Sequence, residues 1–119
     1  MPARGVRTIE VNGREIPILF TNRALVSAEK QIGKGIIGLL NSFSMGGDLG
    51  IGDLVALLRA GMEAARQDGR KSGKPVSNDD AFNIIDEIGF TAAIVPVMEA
   101  VAEVISFTQA EPDQVDDPN

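Results

Sequence analysis

The chain has 119 residues and a net charge of −6, and it contains no cysteine, histidine, tryptophan or tyrosine. That length supports one domain with one core, and the missing thiols and imidazoles exclude disulfides, the commonest nucleophile–base pairs and the usual transition-metal ligands. With 44% hydrophobic residues but only five Phe, the core must be built from Ile, Leu, Val, Met and Ala, a composition that favours helices.

The charge is unevenly spread: residues 1–77 carry 11 basic and 7 acidic groups, and residues 78–119 carry no basic and 10 acidic ones. An acidic C-terminal third argues against binding a nucleic-acid backbone, which needs many Lys or Arg contacts. The asymmetry itself is more simply explained by a solvated acidic face with a flexible tail than by head-to-tail self-association, which it could also favour; a homo-oligomer is expected. The N-terminus lacks the apolar run of a signal peptide and no segment has 18 consecutive apolar residues. A protein of the cytoplasm, without membrane contact, is expected.

A β-hairpin is predicted over 6–20. Apolar and polar residues alternate around Asn12-Gly13, the dipeptide suited to a type I′ turn because both central residues need positive φ. A two-residue loop pairs Val11 with Arg14 and Ile9 with Ile16, which puts Ile9, Val11, Ile16, Ile18 and Phe20 on one face. Glu10 then stands opposite Glu15, a mildly unfavourable pair, and Pro17 belongs on an edge.

Thr21 or Asn22 caps a helix over about 22–42, where Leu25, Ala28, Ile32, Ile36, Leu39 and Phe43 keep spacings of three and four. Gly33, Gly35 and Gly38 weaken it, so a bend or break is expected near Gly33. A glycine-rich loop follows, and the stripe Ile51, Val55, Leu58, Met62 and Ala65 predicts a central helix over about 52–66, with Asp53 in the N-cap position. Leu54 and Leu57 widen its apolar face so that it can touch neighbours on two sides. The run Gln67 to Val76, with Arg70, Lys71 and Lys74, reads as an exposed basic loop.

A shorter helix is predicted over 77–88, with Ser77 and Asp80 in capping-box positions and Gly89 stopping it. The last, over 91–107, carries a wide apolar face from Ile94, Val97, Met98, Val101, Val104 and Ile105, and Pro96 occupies its first turn or kinks it. Residues 108–119, with two prolines and four acids among Glu111 to Asn119, read as a disordered acidic tail. The fold class is therefore α+β, mostly α: a hairpin followed by about four helices in a small bundle.

Motifs that would carry chemistry lack their context. Gly33 to Gly38 matches G-x-G-x-x-G, with Asp53 twenty residues on, but helical periodicity precedes it where a dinucleotide fold needs a strand. Asp79, Asp80, Asp86 and Glu87 fall at opposite ends of one helix and form no calcium loop, and Asp48 with Asp53 fails the same test. Ser42, Ser44 and Ser77 have no histidine to activate them. No enzyme activity and no cofactor are expected. What remains is apolar helical surface, including Leu54, Leu57, Val97, Val104 and Phe107, which serves either as extended core or as a groove for a partner helix; Met62 and Met98 would be adaptable contacts.

Taken together, the hairpin, the capped helix ending in Gly-Ile-Ile-Gly-Leu-Leu, the segment Asp53-Leu-Val-Ala-Leu-Leu-Arg-Ala-Gly61, and Asp80 to Gly89 ending in Ile-Ile-Asp-Glu-Ile-Gly resemble the tail assembly chaperones of long-tailed phages and gene transfer agents. The order of elements matches from about Thr8 to Phe107. The resemblance implies a non-enzymatic protein of phage or prophage origin acting in the host cell cytoplasm. Several copies would coat the tape measure protein, keep it from aggregating and release it as the tail tube polymerises, and a longer frameshifted form would recruit the tail tube protein. The resemblance carries over no binding residues; the apolar helical surface itself makes Leu54, Leu57, Met62, Val97, Met98 and Val104 the expected partner contacts. The alternative is a phage structural or head–tail joining subunit whose apolar face is a permanent interface.

Overall fold

The computed structural model describes residues 5–47, 49–69 and 73–116, with side chains described through position 106. The elements in order are β1 (Val6–Val11), β2 (Arg14–Leu19), α1 (Asn22–Ile32), α2 (Ile36–Ser44), α3 (Ile51–Asp68), α4 (Asn78–Ile88) and α5 (Phe90–Asp116). The architecture is the α+β, mostly α class expected.

The hairpin forms in the predicted register, with Val11 opposite Arg14, Glu10 opposite Glu15 and Ile9 opposite Ile16. Asn12 and Gly13 take φ of 52° and 82°, as a type I′ turn demands. Ile9, Val11, Ile18 and Phe20 are buried and Ile16 is half-buried, while Thr8, Glu10, Glu15 and Pro17 face solvent. The hairpin tip is tied to α4 through Glu87, which accepts from the Asn12 side-chain amide and lies 4.0 Å from Arg14. Near its open end, Arg7 meets Glu103 at 3.2 Å and Glu99 at 3.7 Å, two acids one turn apart on α5.

The helix expected over 22–42 breaks at Gly33, the place of the expected bend or break, so the described residues form five helices rather than about four. The Thr21 hydroxyl accepts from the Ala24 N–H at 3.0 Å to start α1, and Gly33 ends it in the left-handed conformation at φ 83°. A left-handed residue closes a helix by turning its N–H back onto the last turn, and glycine adopts that conformation without steric cost. The new helix α2 has no cap from its own chain start. Glu29 on α1 supplies one, accepting from the Ile36 N–H at 2.8 Å.

α3 is the central helix, as the wide stripe implied, packing against β2, α1, α4 and α5. Its N-cap is Gly50 rather than Asp53, which lies in the first turn; there its carboxylate meets the N-terminal dipole and stands 3.7 Å from Lys34 Nζ. Ile51, first in the predicted stripe, is more than half exposed because it precedes the packed part of the helix. The hairpin reaches α3 through Phe20, whose ring lies where a Cβ on Gly61 would stand, 2.7 Å from Cζ. No larger residue allows this approach without displacing the ring.

At α4 the capping box is complete: Ser77 Oγ accepts from the Asp80 N–H at 3.1 Å and the Asp80 carboxylate accepts from the Ser77 N–H at 3.0 Å. Gly89 then ends it, its N–H returning to Ile85. α5 runs through Pro96 without interruption, and its helical backbone extends to Asp116, past the expected end at 107 and into the segment 108–119 expected as a tail. Extending an existing helix adds a bond for each residue ordered, whereas starting one does not. Side chains beyond 106 and residues 117–119 lie outside the described residues, as do Asp48, Arg70 and Lys71. Among the described residues no helix is long and apolar enough to cross a membrane.

Two glycine substitutions separate close packing from helix propensity. Gly61→Ala places a methyl against Phe20, an overpacking of about 1–3 kcal/mol that outweighs a propensity gain near 1 kcal/mol. Gly38 in α2 has open space where a Cβ would be. Urea unfolding should show Gly61→Ala destabilised by about 1–2 kcal/mol and Gly38→Ala stabilised by up to ~1 kcal/mol.

Candidate functional site

Five of the six residues expected to contact a partner are core. Leu54, Leu57 and Val97 are fully buried, Met98 and Val104 nearly so, and only Met62 is half-buried. They are covered because α3 is enclosed by the hairpin and three helices, and α5 turns the same face to α3 and β1. The apolar stripe of a helix records what must leave water and does not record what covers it. These residues therefore make no open docking face in the folded chain; Phe107 lies outside the described side chains.

The open apolar surface lies elsewhere, where α1, α2 and α5 meet. A groove of about 190 Å³ is lined by Leu25, Val26, Ile36, Ile37 and Ile105, with Asn22 and Glu29 as its polar members. Val26 and Ile37 are 47% and 45% exposed, a large apolar area to leave in water on two facing walls. The Glu29 carboxylate is already committed to the Ile36 N–H, at the end of α2 where the helix dipole favours a negative charge. What the groove offers an incoming molecule is aliphatic surface. The sequence held one legible signal for it: Leu25-Val26 and Ile36-Ile37 are adjacent apolar pairs, and on a helix only one member of such a pair can face the core fully.

The opposite side of α1 borders α3 along a polar trough, lined by Thr21, Arg23, Ser27, Arg59, Glu63 and Gln67. Arg59 donates to Ser27 at 3.0 Å and Gln31 at 2.9 Å, and Gln31 donates to Asn78 at 2.8 Å, so a chain of hydrogen bonds stitches α1 to α3 and the start of α4. Glu63 is held by both arms of the Arg66 guanidinium, at 2.9 and 2.7 Å, and by Gln67 and the Val76 N–H, both at 2.8 Å. These bonds, the Arg66 one foremost, outweigh burial and lower its pKa to about 2. The carboxylate thus clasps the chain thirteen residues later and fixes where α4 begins. These bonds make the trough a structural seam between α1, α3 and the start of α4.

The remaining motifs have structural places. Gly33 to Gly38 is the corner between α1 and α2, preceded by a helix, and the described strands are the antiparallel hairpin alone. Asp80 and Ser77 cap α4, and Glu87 holds the hairpin tip. Among the described residues no group of three or more acidic side chains is placed to hold a metal ion.

Because the folded-state pKa of Glu63 lies below its ordinary value of 4.5, its contribution to stability is fully present above that value and is lost as pH falls toward 2. Glu63→Gln should destabilise the protein by about 1–2 kcal/mol at pH 7, with the difference from the parent shrinking through pH 4 to 2 in chemical-denaturation curves. No protein-family model, curated protein or solved structure matches the chain.

Proposed function

We propose that this protein is a tail assembly chaperone of the long-tailed phage and gene transfer agent type, holding the tape measure protein in the host cell cytoplasm until the tail tube polymerises around it. The observation that carries the reading is the open aliphatic groove between α1, α2 and α5, whose carboxylate is internally committed and whose walls expose Val26 and Ile37. An amphipathic helix laid in such a groove buries apolar residues spaced three and four apart, which is how a small helical domain holds a long helical client. The resemblance in the order of elements supports the same reading, and so does the acidic surplus, which keeps a client-coated surface soluble.

The contact residues follow the exposure rather than the sequence stripe. Val26, Ile37 and Ile105 are the groove positions to change, because charge at Leu57 or Val97 would break the core first. The test is co-expression with the long coiled-coil-rich protein encoded just downstream. That protein should become soluble and co-purify with several copies of this chain, and Val26→Glu combined with Ile37→Glu should abolish its recovery while leaving the circular-dichroism spectrum of this chain unchanged. If the downstream protein stays insoluble and this chain alone forms a closed oligomer, the groove is a permanent subunit interface, as in a head–tail joining protein.

A further inference from the structure

We infer that the polar trough between α1 and α3 is an oxyanion site, which takes a carboxylate or phosphate group on two arginines that the fold leaves without a counter-charge. The inference is independent of the aliphatic groove on the other side of α1. Arg23 from α1 and Arg59 from α3 both line the trough, a hollow of about 230 Å³. Neither makes an ion pair among the described residues. Arg59 is nonetheless held in place, because its Nε and Nη2 donate to the side-chain oxygens of Gln31 and Ser27. Both acceptors are neutral, so they orient the guanidinium without cancelling its charge, and its Nη1 has no acceptor among the described residues.

The acids at hand do not supply the missing charge. Glu63 lines the same trough, but it already accepts four hydrogen bonds, two from Arg66 and one each from Gln67 and the Val76 N–H. Four bonds fill the lone-pair sites of a carboxylate. Asp68 borders an adjoining hollow that Arg23 also lines, and it makes no ion pair with Arg23. The hydroxyls add donors: the Thr21 oxygen accepts from the Ala24 N–H and the Ser27 oxygen from Arg59, which leaves each O–H to donate. Against them stands the Gln67 side-chain oxygen, whose partner nitrogen is spent on Glu63. The trough therefore presents two guanidinium groups and two hydroxyls to whatever enters it. Such a set matches the several lone pairs of an oxyanion and repels a cation.

Calorimetric titration of the full chain with inorganic phosphate, and separately with a short peptide of alternating Glu and Gly, tests the site at an ionic strength held constant with chloride. At least one probe should bind saturably at one site per chain. Arg23→Gln should weaken that binding about fivefold or more without lowering the thermal unfolding midpoint of the ligand-free protein, since Arg23 makes no bond within the described fold. Arg59→Lys keeps the charge but loses the planar fork, and should weaken binding as well. Binding of phosphate alone supports the site with a free anion as its ligand, and binding of the peptide alone supports it with an acidic side chain of a polypeptide. Heats no larger than those of added chloride, or binding that neither arginine substitution changes, would overturn the inference. So would loss of binding in Val26→Ser, which would put the ligand in the aliphatic groove instead.

Discussion

The structure depends on the approach of Phe20 to the backbone of α3 at Gly61. A two-stranded hairpin is marginal in water on its own and needs a surface to cover its apolar face. Here α3 presents one position without a side chain, and the Phe20 ring fills it while Ile18 packs alongside, its Cβ 3.3 Å from where a Gly61 Cβ would be. The chain turns immediately afterwards, at the Thr21 cap, so the same contact sets where α1 starts and therefore how α1 lies along α3. A bulkier residue at 61 would lift the hairpin and α1 together.

Around this apolar centre, polar ties join elements far apart in sequence. Arg7 to the two α5 acids, Glu87 to the hairpin tip, Glu29 to the start of α2 and Glu63 to Val76 each hold a corner of the fold. Exposed pairs of this kind add little energy individually. Their effect is on geometry, because among the described residues no polar or charged side chain is buried and the core alone would tolerate sliding. Glu63 differs from the rest in being mostly shielded and four times bonded, which is why its proton affinity falls so far.

Much of the fold was legible because its signals are local. The Asn12-Gly13 turn and a period of two set the hairpin register, and Ser77 with Asp80 marked the start of α4. The break near Gly33 was legible in its glycines, but the second helix start was not, since it is capped by Glu29 from the preceding helix, a tertiary bond without a neighbouring sequence signature. The first turn of α3 misled for a related reason: Asp53 serves the helix N-terminus from inside the turn and through Lys34, while Gly50 occupies the cap. The open surface was the least legible part. Leu57 and Val26 are both apolar residues on amphipathic helices, and only the arrangement of α1, α2 and α5 leaves one covered and the other in water.

That arrangement also explains why the groove survives folding. Had α1 and α2 been one continuous helix, as their shared spacing suggested, no inside corner would separate Val26 from Ile37. The left-handed Gly33 turns the chain and Glu29 locks the new direction, so α2 swings onto α5 and the two residues face each other across an unfilled gap. Closing it would require α2 to move off the Glu29 carboxylate, leaving a helix N-terminus uncapped at a cost of about 1 kcal/mol, while completing the burial of two half-exposed aliphatic side chains gains a similar amount. The balance leaves the groove open with little penalty and gives an incoming apolar side chain the full gain of covering it.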